Sequence, residues 1–470
     1  MIKFGTSGFR AVMGEEFTKE NVQRIMFGVC EYAKKKNIKN GKIAIGFDNR
    51  FMGEMYAKWA IEVLALQFNV KFFISSVPTP VISFETYNCD FGVMVTSSHN
   101  PFYYNGIKLF GQGANELADD VTAEICEYAN SVNYQDIQTI KYCEALEKGK
   151  VEKTEDISAY VNSILKLVDE NALNGSKIKI LINTMHGSGY NALKQIVDKL
   201  NLKKVDFINE NVDPTFENSS PAPYPRNLTK QAQLVVDEHY DCGFAIDGDA
   251  DRFTFIDSTG EIYDCGYVAP IIYEYLVTVK GKKGAFVRNS AFSNLSTKIV
   301  EKLNEEMVIT KVGFKCIGEE FAKRECVLGS ETNGIAIKEH VGSKDGVVVC
   351  AVLIDMLSYY GKTFGEILKE RQEELNFKSS MVETEYKITS EEKQEIINKM
   401  ANLEKMPKFS NKVVGYYNEE GFKYIFDKDY WVMIRLSGTE PKVRAFAEMP
   451  TVEDCEKVIA ELEEFYNLKK

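Results

Sequence analysis

Three regions of the chain repeat the order strand, helix, strand. The apolar segment at 42–48 reads as a buried strand, and a helical segment at 54–68 and a second strand at 70–76 follow it. The same order returns at 177–209 and at 284–312. Elements of these lengths form a βαβ unit, whose two strands are parallel. The sequence therefore predicts an α/β chain with a partly parallel sheet in each region.

The last part of the chain has a different pattern. A helical stretch at 391–406 precedes two strand-like segments, at 430–438 and 442–449, and a final helix begins after Thr451. Helices and strands segregated in this way are typical of an α+β module. We therefore expect a smaller α+β domain at the C-terminal end.

Charged, weakly patterned stretches suggest where domains join. Two such stretches lie at 144–155 and 371–390. A third joint near 257–262 competes with a hairpin turn, because the sequence DSTGE suits either. At roughly 150 residues per domain, 470 residues fit three or four domains. The predicted domains are 1–150, 151–257, 258–375 and 376–470.

The composition excludes several classes of protein. There are 57 Lys and Arg against 69 Asp and Glu, a net charge of −12 that argues against nucleic acid or an anionic membrane as partner. No apolar run reaches the roughly 18 residues of a membrane span, and the N-terminus lacks the apolar core of a signal peptide. Ten scattered cysteines without a C-x-x-C pair are typical of a reduced chain. We expect a cytoplasmic protein with no obligate protein partner.

Three aspartates alternate after the strand-like CGFAI. Asp247, Asp249 and Asp251 would point the same way from an extended chain, and small Gly248 and Ala250 let the loop curl. Such close carboxylates repel unless a cation joins them, and oxygen-only ligation suits Mg²⁺ or Ca²⁺. The loop lacks the glycine and glutamate positions of an EF-hand. The alternative is a solvated acidic turn.

A second motif has the chemistry of a phosphate cradle. Arg435 precedes a Ser-Gly-Thr turn and Arg444 lies on the following strand. Guanidinium forks, hydroxyls and exposed backbone N–H groups together bind phosphate well. The alternative is a hairpin turn with two surface arginines. The N-terminal FGTSGFR repeats this turn chemistry and ends in Arg10, a weak signal alone. The turn of the cradle comprises Ser437, Gly438 and Thr439.

The segment VMVTSSHNPF at 93–102 places two serines and a histidine after an apolar strand. All of Ser97, Ser98, His99 and Asn100 form turns readily, so a plain turn is a strong alternative. A Ser-His-Asp hydrolase is disfavoured, because chain neighbours diverge and no G-x-S-x-G elbow occurs. A serine nucleophile beside an acidic cation loop and an arginine cradle is, however, the equipment of phosphoryl transfer.

Taken together in chain order, these motifs resemble the α-D-phosphohexomutase family, which comprises phosphoglucomutases, phosphomannomutases and phosphoglucosamine mutases. The resemblance runs from Phe4 to Glu448. It implies three related mixed α/β domains and a smaller C-terminal α+β domain around a central cleft. Further matching segments are GFDNR (46–50), VPTP (77–80), NGIK (105–108), PAPYPRNL (221–228) and TKVGFK (310–315).

The resemblance also implies roles for the motif residues. Ser98 would carry a phosphoryl group, and Mg²⁺ would bind the three aspartates and the serine phosphate. Arg10, Lys108 and Arg252 would line the reaction centre, with His99, Lys108 and Arg10 as alternative general acids or bases. The cradle at 435–444 would hold the phosphate that is not being transferred. The domains would thus carry, in order, the phosphoserine, metal-binding, sugar-binding and phosphate-binding loops.

The implied reaction interconverts hexose 1-phosphate and hexose 6-phosphate. Phosphoserine 98 would donate its phosphoryl group to the sugar, and the bisphosphorylated sugar would then reorient by half a turn. A hexose 1,6-bisphosphate would prime the unphosphorylated enzyme. The sugar loop of the family usually reads Gly-Glu-x-Ser-Gly, whereas this chain has Glu331 but Asn333 in the place of serine. Asparagine can still donate to and accept from a sugar hydroxyl. We expect glucose to be favoured, with phosphomannomutase or dual activity as the alternative.

Two rival functions belong to other classes. A Mg²⁺-dependent phosphatase could use the acidic loop, but it needs neither the Ser-His-Asn-Pro turn nor a distant cradle. A mutase-like protein kept for binding alone is possible in principle, yet all the expected charged groups remain. Release of inorganic phosphate rather than an isomer separates the phosphatase from the mutase.

Overall fold

Alternating strands and helices run through most of the chain. The computed structural model describes residues 1–5, 8–402, 405–436 and 442–468. They divide into two compact units, Met1–Cys265 with Gly313–Thr363, and Gly266–Val312 with Phe364–Lys470. Among the described residues no single helix is long and apolar enough to cross a membrane, although the bent pair Gly346–Tyr360 and Phe364–Glu374 would qualify by length and composition alone.

The first region is built on a mixed sheet in the order β1-β5-β4-β2-β3-β7, with β6 beside β5. The central strand β2 is parallel to β3 and β4, as the βαβ pattern predicts, and the strands around β5 are antiparallel. The strands are β1 Phe9–Val12, β2 Lys42–Phe47, β3 Asn69–Phe73, β4 Phe91–Val95, β5 Tyr104–Gly111, β6 Asn115–Glu116 and β7 Val151–Thr154. The helices are α1 Lys19–Lys35, α2 Gly53–Leu64, α3 Thr79–Glu85, α4 Asp119–Ser131 and α5 Tyr142–Glu147.

The second region has a five-stranded sheet in the order β12-β11-β10-β8-β9. Every residue of β8 and β10 is buried, as is usual for strands covered on both faces. The elements are α6 Ser158–Leu165, α7 Glu170–Leu173, β8 Ile180–Asn183, α8 Tyr190–Lys199, β9 Val205–Ile208, α9 Pro225–Asp237, β10 Cys242–Ile246, β11 Phe253–Asp257 and β12 Ile262–Tyr263.

The third region contributes to both units. One pair of its strands, β13 and β14, is parallel, and the other pair, β15 and β16, is antiparallel. Asp345 caps the buried helix α13 through bonds from two backbone N–H groups. The elements are α10 Cys265–Thr278, β13 Ala285–Asn289, α11 Leu295–Lys302, β14 Met307–Thr310, α12 Phe314–Lys323, β15 Cys326–Glu331, β16 Gly334–Ile337, α13 Gly346–Tyr360 and α14 Phe364–Glu374.

The C-terminal region is an antiparallel sheet in the order β17-β21-β20-β19-β18, on which α16 packs. A capping box of Thr389 and Glu392 begins α15. The predicted α+β module is confirmed. Its elements are β17 Ser380–Lys387, α15 Ser390–Ala401, β18 Val413–Tyr417, β19 Phe422–Phe426, β20 Trp431–Leu436, β21 Lys442–Met449 and α16 Val452–Tyr466.

The charged stretches predicted as joints are structured. The stretch 144–155 supplies the end of α5 and the strand β7, which pairs with β3. The stretch 371–390 ends α14 and supplies β17, which pairs with β21 along its whole length. At 257–262 the chain makes the hairpin turn, because β11 and β12 pair antiparallel. The second sheet therefore continues past residue 257.

Candidate active site

The predicted serine loop follows β4; Ser97 and Ser98 are buried, whereas His99 and Asn100 are half-buried. Ser98 has a left-handed backbone, with a φ of 53°, and its N–H donates to Thr96 Oγ1 at 2.8 Å. This turn aims the Ser98 hydroxyl at the acidic loop, where Oγ donates to Asp247 Oδ2 at 2.7 Å. His99 Nδ1 lies 3.3 Å from the same Oγ. The Ser98 hydroxyl, which the sequence predicts to be the nucleophile, therefore faces the predicted metal ligands.

The neighbouring serine faces elsewhere. Ser97 Oγ accepts a hydrogen bond from Asn100 Nδ2 at 3.1 Å, and the Asn100 N–H donates to the Ser97 carbonyl. Its side chain thus closes the turn that Ser98 projects from. This geometry favours Ser98 over Ser97 as the reacting group.

A buried arginine holds the serine loop in place. The Arg50 guanidinium donates to four backbone carbonyls, those of Ser98, Asn100, Pro101 and Tyr104, at 2.5 to 3.0 Å. Its Nε lies 3.3 Å from an Asp48 carboxylate oxygen.

Asp48 completes this support. Its Oδ2 accepts from Thr96 Oγ1 at 2.6 Å, so the carboxylate links the arginine to the loop. Burial raises the pKa of Asp48 to about 6, although Arg50 opposes the shift. The sequence motif GFDNR therefore forms the base of the serine loop.

The acidic loop joins β10 to β11 and contacts the serine loop closely. A Cβ on Gly248 would lie 2.9 Å from the Ser98 carbonyl oxygen and from a Pro221 carbon, so only glycine allows this approach. Asp247, Asp249 and Asp251 are buried, and one ligand atom from each lies within 4.8 Å of the others. The alternation seen in the sequence does bring the three carboxylates together.

Lys108 of β5 crosses this cluster. Its Nζ contacts Asp249 at 2.7 Å and Asp251 at 2.5 Å, and Thr79 Oγ1 also donates to Asp249 at 2.6 Å. Two buried oxygens, Asp249 Oδ1 and Asp251 Oδ1, nevertheless have no hydrogen-bond partner. Buried carboxylate oxygens left unpaired are costly, and a divalent cation would satisfy them. The residues therefore fit a Mg²⁺ ion.

Charge and burial shift the pKa values of this cluster in opposite directions. Burial and the neighbouring Asp249 and Asp251 raise the pKa of Asp247 well above its usual range. Burial also opposes ionisation of Asp249, but the charge and hydrogen bond of Lys108 outweigh it and lower its pKa. For Lys108, burial is outweighed by the two carboxylates, which raise its pKa. The two carboxylates therefore favour the ammonium form of Lys108.

Further positive groups surround the serine. Arg10 lies on β1 opposite Gly106, and the backbone N–H of Arg252 donates to Asp247 Oδ1 at 3.0 Å. Burial, with the charges of Arg252 and Arg10, lowers the pKa of His99 well below its usual range. This environment favours the neutral imidazole.

The predicted sugar loop turns between β15 and β16. Glu331 forms an ion pair with Lys344 at 3.0 Å, and Lys344 crosses Gly334, where a side chain would collide with it. The buried Oδ1 of Asn333 has no hydrogen-bond partner. Both sugar-loop residues thus present polar groups, and the amide oxygen is available to a hydroxyl.

The predicted cradle is only partly described. Arg435 and Arg444 lie opposite each other on β20 and β21, and Arg444 forms ion pairs with Glu385 and Glu383. Ser437, Gly438 and Thr439 lie outside the described residues, as do Thr6 and Ser7 of the N-terminal turn.

Comparison with known proteins identifies the family. Models of the phosphoglucomutase/phosphomannomutase alpha/beta/alpha domains I, II and III match residues 1–136, 158–260 and 266–375, and the C-terminal domain matches 385–465. The chain belongs to the phosphoglucomutase/phosphomannomutase family. It is therefore an enzyme of the phosphohexomutase type, with three α/β domains and a C-terminal domain, as predicted.

Its similar proteins cover almost the whole chain. A phosphoglucomutase/phosphomannomutase of Thermococcus kodakarensis is 28% identical over 459 residues, which are 97% of this chain and 96% of the relative. A phosphoglucosamine/phosphogalactosamine mutase of Sulfurisphaera tokodaii is 29% identical over 98% of both chains. A Thermus thermophilus structure solved as a candidate phosphomannomutase matches at a TM-score of 0.85, with 26% identity and 99% of both chains covered.

Several supporting residues of this phosphohexomutase were not assigned a role from sequence. Arg50, Thr79, Thr96 and Lys344 all contact residues of the site. Two of them lie in the family-like segments GFDNR and VPTP, which indicated membership without indicating function. A signal was therefore present for Arg50 and Thr79, but their contacts depend on residues distant in sequence.

Proposed function

We propose that this phosphohexomutase interconverts hexose 1-phosphate and hexose 6-phosphate through a phosphoserine at Ser98, with glucose favoured. One observation carries the proposal: Ser98 Oγ lies 2.7 Å from Asp247, in a buried three-aspartate cluster with two unpaired oxygens. A nucleophilic hydroxyl beside a cation site is what phosphoryl transfer requires.

The reaction has two matching halves. In the first, the bond between phosphorus and Ser98 Oγ breaks, a bond from phosphorus to the C6 oxygen forms, and the proton of the C6 hydroxyl passes, through a base of the site, to Ser98 Oγ. The hexose 1,6-bisphosphate then reorients within the site. In the second half, the bond between phosphorus and the C1 oxygen breaks, a bond from phosphorus to Ser98 Oγ forms, the Ser98 proton passes to the C1 oxygen, and hexose 6-phosphate leaves. Arg10, Lys108 and Arg252 offset the charge that develops on the transferred group.

The other site residues complete the proposal. Asp247, Asp249 and Asp251 would hold Mg²⁺, which when bound supplies neutralising charge to the phosphoryl oxygens. His99 is favoured among the candidate acids and bases because its Nδ1 lies 3.3 Å from Ser98 Oγ, within reach of a proton exchanged with that oxygen. Arg435, Arg444 and the turn at 437–439 would bind the phosphate that is not transferred, and a hexose 1,6-bisphosphate would prime the enzyme.

The sugar preference depends on the Glu331–Asn333 loop. Glucose and mannose differ only at C2, so a site that contacts other hydroxyls accepts both. The similar proteins carry names of glucose, mannose and hexosamine mutases, so all three sugar classes belong in the test. Mannose is the main alternative substrate.

Phosphorus NMR of the full chain tests the proposal. Glucose 1-phosphate, mannose 1-phosphate and glucosamine 1-phosphate are supplied together with Mg²⁺ and a trace of glucose 1,6-bisphosphate. We expect the matching 6-phosphates to appear, glucose 6-phosphate fastest. Inorganic phosphate without isomers would indicate a phosphatase, and faster mannose or glucosamine conversion would overturn the sugar preference while leaving the mutase reaction intact.

A further inference from the structure

A cavity lies in the unit formed by Gly266–Val312 and Phe364–Lys470. It has a volume of about 560 Å³, large enough for a small metabolite. Its wall comes from β13, α11 and β14 on one side and from β18 and β19 on the other. Among the described residues, none of those assigned to the mutase reaction lines it. Its lining includes Asn294, Thr297, Ile309, Tyr417 and Ile425. It also includes Lys298 and three carboxylates: Asp429 pairs with Lys298 at 2.6 Å, Glu301 lies 4.0 Å from Lys298, and Glu419 accepts a hydrogen bond from the Tyr417 hydroxyl.

Two positive side chains in this wall are buried. Arg288 is 2% exposed and Lys423 is 8% exposed. Arg288 donates to Asn294 Oδ1 at 2.7 Å and to Thr297 Oγ1 at 2.9 Å, yet its buried Nε has no hydrogen-bond partner. Lys423 donates to the Ser290 carbonyl at 2.7 Å. All these partners are neutral.

Among the described residues, neither cation has a carboxylate within ion-pair distance. The charge of Glu448 reaches both, but its oxygens already accept hydrogen bonds from Ser293, Ser379, the Asn294 N–H and the Trp431 indole. Burial and the charge of Arg288 accordingly lower the pKa of Lys423 well below its usual range.

The Trp431 ring compensates only part of the free-energy cost of burying the Lys423 charge. Lys423 Nζ lies 3.8 Å from the ring centroid, a cation–π contact that favours the ammonium form. An anion bound in the cavity would offset the burial of the Arg288 guanidinium and favour the ammonium form of Lys423, because opposite charges attract strongly out of water.

We infer that this cavity binds a small organic anion. Its phosphate or carboxylate group would lie against Arg288 and Lys423, and its apolar body against Ile309, Tyr417 and Ile425. A guanidinium fork and an ammonium group bind oxyanions strongly when desolvated. The ligand would contact residues of the third and the fourth family domains at once, since Arg288 belongs to the former and Lys423 to the latter.

Fluorine NMR gives a readout at the site. The chain has two tryptophans, Trp59 and Trp431, so 5-fluorotryptophan labelling yields two resonances, assigned with Trp59→Phe. Phenyl phosphate, benzoate and phenol are titrated into the full chain to roughly 10 mM, the range of weak specific binding. We expect either anion to shift the Trp431 resonance saturably and uncharged phenol not to do so. Response to one anion alone identifies the ligand as a phosphate or as a carboxylate.

A pair of matched variants locates the binding. Lys423→Met should weaken binding of the responsive anion about tenfold or more, whereas Lys412→Met, which removes an exposed charge before β18, should not change it. A shift by phenol equal to that by the anions, no shift by either anion, or full binding in a folded Lys423→Met protein would overturn the proposal. The comparison of phenol with the anions in the unmodified chain holds even if that variant fails to fold.

Discussion

Ser97 and Ser98 are adjacent in the chain, yet their hydroxyls have different partners. Ser98 donates to Asp247, and Ser97 accepts from Asn100. We expect Ser98→Ala to abolish mutase turnover and labelling by radioactive glucose 1,6-bisphosphate, because the phosphoryl acceptor is gone. Ser97→Ala should keep both and cost about 1 kcal/mol of folding free energy, the usual value of one hydrogen bond. Labelled, active Ser98→Ala protein would show that another group carries the phosphate.

Arg50 supports a second prediction at this scale. A lysine keeps the charge but cannot reach four carbonyls and Asp48 together. We expect Arg50→Lys to lower the free energy of unfolding by about 3 kcal/mol and kcat by about tenfold, since the loop that aims Ser98 loosens. Urea unfolding and steady-state assays measure the two effects.

Arg24→Lys is the matched control for this prediction. Arg24 pairs with Glu20 on α1 and also donates to the Val132 carbonyl, and its side chain is 20% exposed. With only these two partners among the described residues, the same change should alter stability by no more than about 1 kcal/mol. Equal effects of the two substitutions would remove the special role of Arg50.

At this scale the sequence predicts which residues form the site, but it does not predict which of them contact each other. The aspartate alternation indicated a cation site, and the chain does bring those carboxylates together. Nothing local shows that Lys108 crosses them or that Arg50 lies beneath Ser98. Each of these contacts joins residues more than forty positions apart, so it forms only when the sheets have folded.

At the scale of elements, the loop that carries Ser98 and the loop that carries the three aspartates approach so closely at Gly248 that no side chain fits between them. A Cβ there would lie 2.9 Å from the Ser98 carbonyl oxygen. We expect Gly248→Ala to lower kcat by roughly a hundredfold, because a small displacement of reacting groups has effects of this size. Gly415→Ala is the control, since its Cβ would meet only an Ile425 atom at 3.9 Å. Unchanged kcat in Gly248→Ala would show that the loops can separate without loss.

Elements were predictable where burial produces a strong pattern. The central strands and their helices match the βαβ pattern, because strands covered on both faces are continuously apolar. The edge strands β7 and β17 were missed. Both segments, Val151–Thr154 and Ser380–Lys387, carry exposed charged residues and therefore resemble linkers in composition. Pairing with β3 and β21, rather than local sequence, makes these segments strands.

At the scale of the whole molecule, each unit has its own hydrophobic core and its own tryptophan. Trp59 lies on α2 beside the core of the first sheet, and Trp431 is buried in a separate cluster with Met433 and Phe446. All three candidate metal ligands belong to the unit that contains Trp59. A ligand that binds only the folded state stabilises it by about 2.7 kcal/mol at a hundred times its Kd. Large chains of this kind need not unfold in one step.

We therefore expect Mg²⁺ to raise the melting midpoint of the Trp59 unit and to leave that of the Trp431 unit unchanged. The measurement is the loss of each native 5-fluorotryptophan resonance on heating, with EDTA or with saturating Mg²⁺. Asp251→Asn removes one ligand and should abolish most of the shift at Trp59, which separates specific binding from a general salt effect. No shift at Trp59 would contradict the metal assignment. Equal shifts at both tryptophans would instead show that the units unfold as one, because stabilising either would then stabilise both.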